Sequence, residues 1–281
     1  MQDESKSVGG VSSKILKYSN GERMVKDDFL VVEEPIEMAV RSEGQLTNVG
    51  ISMRTPGDDR NLVFGFLFGE GVIVSPSDVA SIVFKEEADA TLPAMRVIVT
   101  LKESVLLDTE RMKRTFPISS ACGACGKSAM EALRITRKDP LSVTGTRVSS
   151  EVLTTLGGRL AVNQSLFSRT GGLHAAARFS VEGKFLGSAE DVGRHNALDK
   201  LVGSALQAGE MDWSEDVLVL SGRVGYDLMQ KAITVGCAVV ASIGAPSSLA
   251  VELASLYGIT LIGFLGTTRF NVYSVPERIE F

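Results

Sequence analysis

The chain has 281 residues, a formal net charge of −5, and 44% hydrophobic and 22% charged residues, the mixture of a soluble globular protein with one large or two smaller domains. The negative charge argues against general nucleic-acid binding, although it leaves room for a local basic pocket that takes a phosphate-bearing ligand. No stretch approaches about eighteen uninterrupted apolar residues, and the N-terminus lacks the basic-then-apolar order of a signal peptide, so we expect a cytoplasmic protein without a membrane span.

Residues 1–22 are polar and show little periodicity, so the sequence predicts a flexible tail of which only the last part packs. The next segment, residues 23–117, combines short β-like runs with one helical pattern and predicts a smaller α+β domain. Its helix follows a turn with an aspartate cap and stops at Gly69 and Gly71. The predicted strands of this segment lie within residues 27–40, 45–53, 79–84 and 95–101.

Residues 118–148 contain two of the three cysteines, Cys122 and Cys125, in the glycine-rich run Ser-Ser-Ala-Cys-Gly-Ala-Cys-Gly-Lys. Good helix formers follow Lys127, so both cysteines are predicted to precede a helix and to share its positive end. A helix N-terminus or a nearby cation lowers the pKa of a thiol, and only the thiolate is a useful nucleophile. The flanking glycines let another molecule approach the sulfur atoms. The sequence therefore predicts an exposed loop with reactive sulfurs.

Several kinds of chemistry are open to such a cysteine pair. A structural disulfide is disfavoured because a chain of this size with three cysteines is not built on disulfides. A structural zinc site needs four ligands, and Cys237, His174 and His195 do not form a second ligand pair, so we expect no structural metal. Thiol redox chemistry or sulfur transfer is the favoured class. Cys237 lies in an apolar run and is predicted to be a buried, inert thiol.

Residues 149–281 show an alternation of short apolar strands and helices, which predicts a parallel or mostly parallel sheet layered with helices. A helix over residues 151–163 comes first, and a hairpin over residues 173–189 follows it. Ligands in such sheets bind at the carboxyl ends of the strands, where loops lead into helix N-termini. The predicted helices beyond the hairpin lie at 196–206, 226–235 and 248–257, and the predicted strands at 216–220, 238–243 and 260–264.

Four loops fall at these strand ends, and three of them carry an arginine, namely Arg194, Arg223 and Arg269. Glycine, serine and threonine at helix N-termini expose amides and hydroxyls to an anion, and arginine can grip a phosphate with two nitrogens. The same residues could instead be the caps and turns that any α/β domain needs. Because arginine occurs on three of the loops, the sequence favours an anionic, nucleotide-like ligand.

The chain has two histidines, His174 and His195. Each could be a hydrogen-bonded structural residue, or a proton donor or ligand contact near neutral pH. The charged neighbours of His195 in the sequence, Asp191, Asp199 and Lys200, are expected to brace the loop and the helix rather than to titrate.

Four motifs together resemble the FdhD family of formate dehydrogenase accessory sulfurtransferases, from about residue 27 to the C-terminus. The motifs are Cys122-Gly-Ala-Cys125-Gly, Gly171-Gly-Leu-His174-Ala-Ala, Glu190-Asp-Val-Gly-Arg194-His195-Asn-Ala-Leu-Asp-Lys200 and Pro246-Ser-Ser-Leu-Ala-Val-Glu252. The resemblance implies a cytidine-deaminase-like, three-layer C-terminal domain, a homodimer and a persulfide on the cysteine loop. It also implies a bound molybdenum cofactor with guanine dinucleotide arms (bis-molybdopterin guanine dinucleotide), a cysteine desulfurase as sulfur donor and a formate dehydrogenase as recipient.

The resemblance also implies that Cys122 carries the sulfur, with Cys125 as its partner thiol, and that residues 264–269 belong to the cofactor site. Phe264 and Arg269 fit the family pattern, whereas the residues between them differ from the cysteine, lysine and proline of some relatives. The zinc pattern of the deaminases is missing, so we do not predict deamination. With the loop residues, the predicted cofactor-binding set is His174, Arg194, His195, Arg223, Phe264, Leu265, Gly266, Thr267, Thr268 and Arg269.

Two other functions stay open at this point. One is a non-catalytic cofactor chaperone or insertase, in which the cysteines only touch the metal centre. The other is a dithiol oxidoreductase, in which the pair cycles between thiols and a disulfide.

Overall fold

The structure is a computed structural model, and it describes residues 6–7, 9–86, 93–105, 107, 139–143 and 145–281. Cys122 and Cys125 lie outside the described residues, as does the helix predicted to follow Lys127. The predictions for these residues are therefore neither confirmed nor contradicted by the fold.

The first part of the chain contains seven strands and one α-helix within the described ranges. A four-stranded sheet in the order β5-β4-β7-β6 forms its centre, with β4 and β7 parallel and the other neighbours antiparallel. The elements are β1 Lys6–Ser7, β2 Gly10–Ser19, β3 Glu22–Val31, β4 Glu34–Ser42, β5 Gln45–Arg54, α1 Asp59–Gly69, β6 Val79–Glu86 and β7 Met95–Leu101, with a 3-10 turn at Pro76–Asp78.

Helix α1 covers one face of this sheet. Its side chains Leu62, Val63 and Leu67 are at most 1% exposed, and they pack with alternate residues of the strands such as Val97 and Val99. Alternation along a strand directs every second side chain to one face, so a single amphipathic helix suffices to close this core. The predicted α+β character and the predicted helix are both confirmed.

The prediction of a flexible tail over residues 1–22 is wrong for residues 10–22, which the structure places in a β-hairpin. Strand β2 pairs with β3 in antiparallel register from Gly10↔Val31 to Ser19↔Glu22. Asn20 and Gly21 form the two-residue turn with φ values of 52° and 87°. These positive φ values belong to a type I′ turn, whose twist matches the strands and which Asn-Gly adopts readily. Asn20-Gly21 is a turn signal in the sequence, but the polar residues around it show little periodicity, so the sequence did not predict the flanking strands.

The second part of the chain contains a six-stranded mixed sheet in the order β10-β9-β11-β12-β13-β14. Its central strands β11, β12 and β13 are parallel, as predicted, and the outer pairings are antiparallel. The elements are β8 Val148–Ser149, α2 Ser150–Val162, α3 Ser165–Thr170, β9 His174–Ser180, β10 Phe185–Asp191, α4 Arg194–Ala208, β11 Asp216–Leu220, α5 Tyr226–Val235, β12 Val239–Ser242, α6 Ser248–Leu256, β13 Thr260–Gly263, β14 Asn271–Ser274 and β15 Ile279–Glu280, with a 3-10 turn at Pro276–Arg278.

Helices cover both faces of the six-stranded sheet and give it three layers. Leu198, Met229 and Ala250, from α4, α5 and α6, join one buried cluster, whereas Leu153 and Leu156 of α2 join the cluster on the opposite face. The three-layer arrangement was predicted, but helix α3 and strand β14 were not. The specific likeness to cytidine deaminases stays a prediction.

The two parts of the chain meet where α1 crosses α4. A methyl group at Gly65 of α1 would overlap the backbone carbonyl oxygen of Asp199, and one at Gly203 of α4 would overlap the carbonyl oxygen of Asn61. The absence of Cβ atoms at both positions lets the helix backbones touch, and Leu206 of α4 reaches the core beneath α1. The division into domains near residue 149 stays a prediction, but the two parts share this helix contact.

We predict that Gly65→Ala lowers the free energy of unfolding by about 1 to 3 kcal/mol, because overpacking forces one of two rigid helix backbones to move. Gly158→Ala in α2 is the matched control, since its methyl group would have no atom within 4 Å apart from its chain neighbours and the backbone of its own helix. That substitution should raise stability by about 0.5 to 1 kcal/mol. Urea denaturation of both variants is the measurement, and equal effects would contradict the close helix contact.

Candidate functional site

The loops that follow β11, β12 and β13 lie side by side along one edge of the sheet. The amide of Val224 donates to the carbonyl of Ala245 at 3.1 Å, and the amide of Ser247 donates back to Val224 at 2.9 Å. The amide of Phe264 donates to the carbonyl of Gly244 at 3.1 Å. Hydrogen bonds therefore join the three loops into one surface, as expected for the carboxyl ends of neighbouring parallel strands.

Two glycines permit this close approach of loops. A Cβ atom at Gly244 would lie 2.7 Å from the amide nitrogen of Arg223, and a Cβ atom at Gly222 would lie 3.1 Å from Nδ1 of His174. His174 begins β9 beside the end of β11, because these two strands are antiparallel. The sheet topology thus brings the histidine to the same edge as the loops.

Three helices begin at this edge. The residues that precede the first turns of α4, α5 and α6 are Gly193, Gly225 and Ser247. Only the serine caps its helix with a side chain, by accepting from the amide of Ala250 at 3.3 Å. The glycine caps of α4 and α5 have no side-chain oxygen, so their first amides stay available to an anion at the positive ends of the helix dipoles.

The start of α4 is fixed by a buried ion pair between Asp191 and Lys200. Nζ of Lys200 lies 2.7 Å from Oδ2 of Asp191, and the two side chains are 3% and 0% exposed. The amide of Thr55 donates to Oδ2 at 3.1 Å, and the amide of Gly193 donates to Oδ1 at 2.8 Å. Lys200 also donates to the carbonyl of Thr55 at 2.8 Å. The pair therefore attaches the loop after β5 to the end of β10.

Asn196 adds a second attachment between the two parts of the chain. Its Nδ2 donates to Oδ1 of Asp191 at 3.0 Å and to the carbonyl of Met53 at 2.7 Å. Its Oδ1 accepts from the hydroxyl of Ser52 at 2.9 Å. Asp199 is likewise paired, with Lys231 of α5 at 2.6 Å. The expected bracing role of Asp191, Asp199 and Lys200 is confirmed by these contacts.

Arg194 is the first residue of α4, and its side chain has an unsatisfied group. Its Nε is buried and has no hydrogen-bond partner among the residues that the structure describes. A Cβ atom at Gly222 would lie 3.9 Å from Cδ of Arg194, so the side chain runs beside the loop after β11 and near His174. A buried donor without a partner is costly, and an anionic ligand at this edge would satisfy it.

The two histidines are held in their neutral forms. Burial lowers the pKa of His174, and the charge of Arg194 lowers it further. Burial also lowers the pKa of His195 to about 4, although Asp227 acts in the opposite direction. Nε2 of His195 lies 3.4 Å from Oδ2 of Asp227, a half-exposed residue at the start of α5. Near neutral pH each imidazole therefore offers one N–H donor and one nitrogen acceptor.

The segment from Phe264 to Arg269 forms a loop on the same edge. Phe264 has a φ of 53° and is 47% exposed, whereas Leu265 is 4% exposed and anchors the loop in the core. The amide of Gly266 donates to the carbonyl of Arg269 at 2.9 Å and closes the turn. The side chains between them, Thr267 and Thr268, are exposed, as is that of Arg269.

The structure brings together the predicted residues His174, Arg194, Arg223 and Phe264 through the contacts of Gly222 and Gly244. Arg223 is exposed at this edge. The side chain of Leu265 is buried, so this residue can offer a ligand only its backbone groups. Cys122 and Cys125 are outside the described residues, so their distance from this edge is not defined.

Sequence reasoning missed Tyr226, the first residue of α5. Its hydroxyl is buried and, within the described ranges, has no hydrogen-bond partner. Burial raises its pKa to about 12, and the neighbouring Asp227 and Glu70 add to this effect. The sequence did contain a signal for this residue, because Tyr226 directly follows Gly225 at the start of a helix. In an α/β sheet the helix N-termini lie at the edge where ligands bind.

Comparison with known proteins gives a consistent match. The model of the FdhD/NarQ family matches residues 31–280. A protein of Streptomyces coelicolor named "Sulfur carrier protein FdhD" is 41% identical over 95% of this chain and 94% of its own length. Proteins of the same name from Sulfolobus acidocaldarius and Thermoplasma acidophilum are 39% and 38% identical, over 95% and 99% of this chain and 97% of each relative.

A solved structure from Desulfotalea psychrophila, described as a formate dehydrogenase accessory protein, shares the fold. Its TM-score is 0.71 with 24% identity, over 97% of this chain and 100% of that one. Along the described part of this chain, each helix is too short or too polar to cross a lipid bilayer.

We predict that His195 titrates with a midpoint near 4 in NMR spectra of the folded protein, because burial disfavours its cation. In the unfolded chain the midpoint should return to about 6.5. The unfolded state then binds more protons between these two values, so this residue lowers stability as the pH falls from about 6.5 to about 4.

The chain has two histidines, so His174→Asn leaves a single imidazole signal and makes the assignment unambiguous. Urea-unfolded protein is the reference for the same resonance. A folded-state midpoint at or above 6.5 would show that attraction to Asp227 outweighs burial and would contradict a neutral imidazole.

Proposed function

The chain belongs to the FdhD/NarQ family, and on that premise we propose that it carries sulfur in the maturation of a formate dehydrogenase. The observation that carries this proposal is the match to sulfur carrier proteins at about 40% identity over nearly the full length. In finer terms, we propose a sulfurtransferase that passes a persulfide sulfur from a cysteine desulfurase to the molybdenum cofactor, bis-molybdopterin guanine dinucleotide.

The loading step is a thiol exchange at Cys122. Its thiolate attacks the terminal sulfur of a persulfide on the desulfurase, the S–S bond of the donor breaks, and the donor cysteine leaves as a thiolate. Cys122 then holds the terminal sulfur as a persulfide. No net oxidation occurs in this step, because the sulfur changes its carrier at constant oxidation state.

Release uses the second cysteine of the loop. The thiolate of Cys125 attacks the Sγ of Cys122, the S–S bond of the persulfide breaks, and hydrosulfide leaves toward the acceptor, which is the cofactor as substrate. A disulfide between Cys122 and Cys125 remains. A dithiol reductant supplies the two electrons and two protons that restore both thiols.

The edge of the six-stranded sheet suits the guanine nucleotide portion of the cofactor. Its features are three helix N-termini, the buried Nε of Arg194 without a partner among the described residues, and exposed Arg223 and Arg269. Amides at helix N-termini and guanidinium groups bind phosphate oxygens, and the half-exposed ring of Phe264 offers a surface on which a base can stack. We propose that these residues hold the phosphates and the base.

The neutral histidines suit the same role. An imidazole without charge can donate one hydrogen bond and accept another, so His174 and His195 can orient a polar ligand without adding charge at the edge. Arg194, whose charge acts on both histidines, then supplies the positive charge. The proposal also includes a homodimer, with the desulfurase and the formate dehydrogenase as transient partners.

We predict that incubation with a cysteine desulfurase and cysteine adds one sulfur to the 118–148 segment, detected by mass spectrometry of a proteolytic fragment. Cys122→Ala should abolish the addition, because the accepting thiolate is lost. Cys125→Ala should retain the persulfide and slow its release, because the resolving thiol is lost. Cys237→Ala is the control, since its thiol is fully buried with a pKa raised to about 12.

A persulfide that persists in Cys122→Ala would remove Cys122 from the carrier role. Activation of an apo-formate dehydrogenase by each variant separates carrier from chaperone. If no persulfide forms and both alanine variants still activate the enzyme, the cysteines are dispensable and the protein acts as a cofactor chaperone.

We predict that guanosine diphosphate binds to the wild-type protein in calorimetry and that Arg269→Ala weakens binding about tenfold to a hundredfold. One charge-assisted contact contributes roughly 1.5 to 3 kcal/mol, which corresponds to that range. Affinity should also fall as ionic strength rises. Arg41→Ala, an exposed arginine on the four-stranded sheet, is the control and should bind normally. Equal affinity of the two variants would exclude Arg269 from the site.

A further inference from the structure

The hairpin of β2 and β3 projects from the body of the protein, with contacts concentrated at its base. Phe29 lies under the guanidinium of Arg169 in α3, at 4.1 Å from its carbon to the ring centre. The amide of Val32 donates to the carbonyl of Gly9 at 3.0 Å. Beyond the base, every residue from Leu16 to Asp27 is exposed. The distal half is therefore an arm without a core of its own.

One face of this arm carries an exposed apolar pair at its centre. Leu16 and Val25 stand directly opposite each other in the register of the hairpin, and they are 65% and 72% exposed. Tyr18, two residues along on the same face, is 69% exposed. A two-stranded hairpin with uncovered apolar side chains is marginally stable in water. We therefore expect another protein surface to cover these side chains.

The outer edge of β3 is free of strand partners in the described part of the chain, because β3 is the last strand in the order β1-β2-β3. Ser19 and Glu22 flank a two-residue turn, and in such hairpins the flanking pair exchanges its backbone hydrogen bonds. The pattern alternates along the strand, so the backbone groups of Arg23, Val25 and Asp27 point away from β2. These groups can pair with a further strand.

We propose that two copies of this chain pair through the outer edges of their β3 strands, with Val25 opposite the partner's Val25 on a two-fold axis. This inference specifies the contact for the homodimer named under the proposed function and rests on that function only for the dimeric state. The arm precedes residue 31, where the match to the family model begins.

Charge complementarity favours a second copy over another protein. Antiparallel pairing about Val25 places Arg23 opposite the partner's Asp27, and Asp27 opposite the partner's Arg23. Within one copy, Arg23 stands opposite Tyr18, and Asp27 opposite Lys14. The joined sheet would therefore have a central apolar row of Leu16 and Val25 from both copies. Each flanking row would run from Lys14 through Asp27 and the partner's Arg23 to the partner's Tyr18.

This arrangement satisfies the demands of a symmetric interface. A two-fold contact uses the same surface on both copies, so each residue must be complementary to its own symmetry mate or to the mate of a neighbour. Val25 is complementary to its own symmetry mate, because both are apolar. Arg23 is complementary to the mate of its neighbour Asp27, because their charges are opposite. Addition of strands edge to edge gains main-chain hydrogen bonds, and the cross-strand side chains set the register.

The test reverses one charge at a time and then mixes the variants. Arg23→Asp alone places two pairs of like charges across the seam, as does Asp27→Arg alone. Each should raise the dimer dissociation constant about tenfold or more in sedimentation equilibrium. An equimolar mixture of R23D and D27R should form heterodimers again, because both charge pairs across the seam are then attractive. Lys17→Glu, on the other face and on β2, is the matched control and should stay dimeric.

Cross-linking tests the position of the axis in a C122A/C125A background. Val25→Cys should form an intermolecular disulfide under mild oxidation, because directly paired residues of this type lie about 5.5 Å apart between Cα atoms. Met24→Cys, whose side chain lies on the other face and opposite residue 26 of the second copy, should not.

The outcomes separate this inference from the proposed function. A monomeric wild type, dimeric R23D and D27R variants, or a mixture that stays monomeric would each overturn the pairing of arms. If R23D no longer activates formate dehydrogenase but keeps the mass of the dimer, the arm binds another protein, and the proposed pairing of arms is overturned as well. Persulfide loading of the wild type is measured independently, so its failure would overturn the sulfur-carrier proposal and leave the dimer result intact.

Discussion

The buried ion pair between Asp191 and Lys200 is the contact on which the geometry of the candidate site depends. Two buried charges are tolerated only when their remaining hydrogen-bonding capacity is also used, and here the amides of Thr55 and Gly193 and the carbonyl of Thr55 use it. The network joins the end of β10, the start of α4 and the loop after β5, which come from distant parts of the sequence. These hydrogen bonds fix the direction in which α4 begins, and therefore the positions of Arg194 and His195.

The same network divides the charged motif into two groups with different tasks. Asp191, Asp199 and Lys200 have buried partners at 2.6 to 2.7 Å, so their charges are neutralised inside the protein. Arg194 keeps a buried nitrogen without a partner in the described chain, and Tyr226 keeps its hydroxyl in the same condition. The charges of Asp191, Asp199 and Lys200 are thus paired, whereas these two buried donors at the starts of α4 and α5 are not, and an anion bound there would satisfy them.

The hairpin arm is connected to this edge through α3. The carboxylate of Glu190, next to Asp191, accepts hydrogen bonds from the amides of Leu166 and Phe167 at 3.0 and 2.8 Å. The following Arg169 stacks on Phe29 at the base of the hairpin. A single short segment at the end of β10 therefore contacts both the start of α4, through Asp191, and helix α3 at the base of the hairpin, through Glu190. Assembly of two copies and binding at the edge would act on the same structural unit.

The sequence by itself determined most helices and strands, the parallel centre of the six-stranded sheet and the family, because these depend on local periodicity and on motifs that are contiguous in the chain. It placed Arg194 and Arg223 at one edge, since the carboxyl ends of parallel strands meet there, whereas His174 reaches this edge because β9 begins beside the end of the antiparallel strand β11. It did not determine which charges of the motif are neutralised, because the partners Thr55 and Asn196 are brought together only when α1 packs on α4 through Gly65 and Gly203. The hairpin of residues 10–31 also required the tertiary structure. Its polar residues gave no hydrophobic period, and only the cross-strand register showed that Leu16, Val25 and the charges around them share one exposed face.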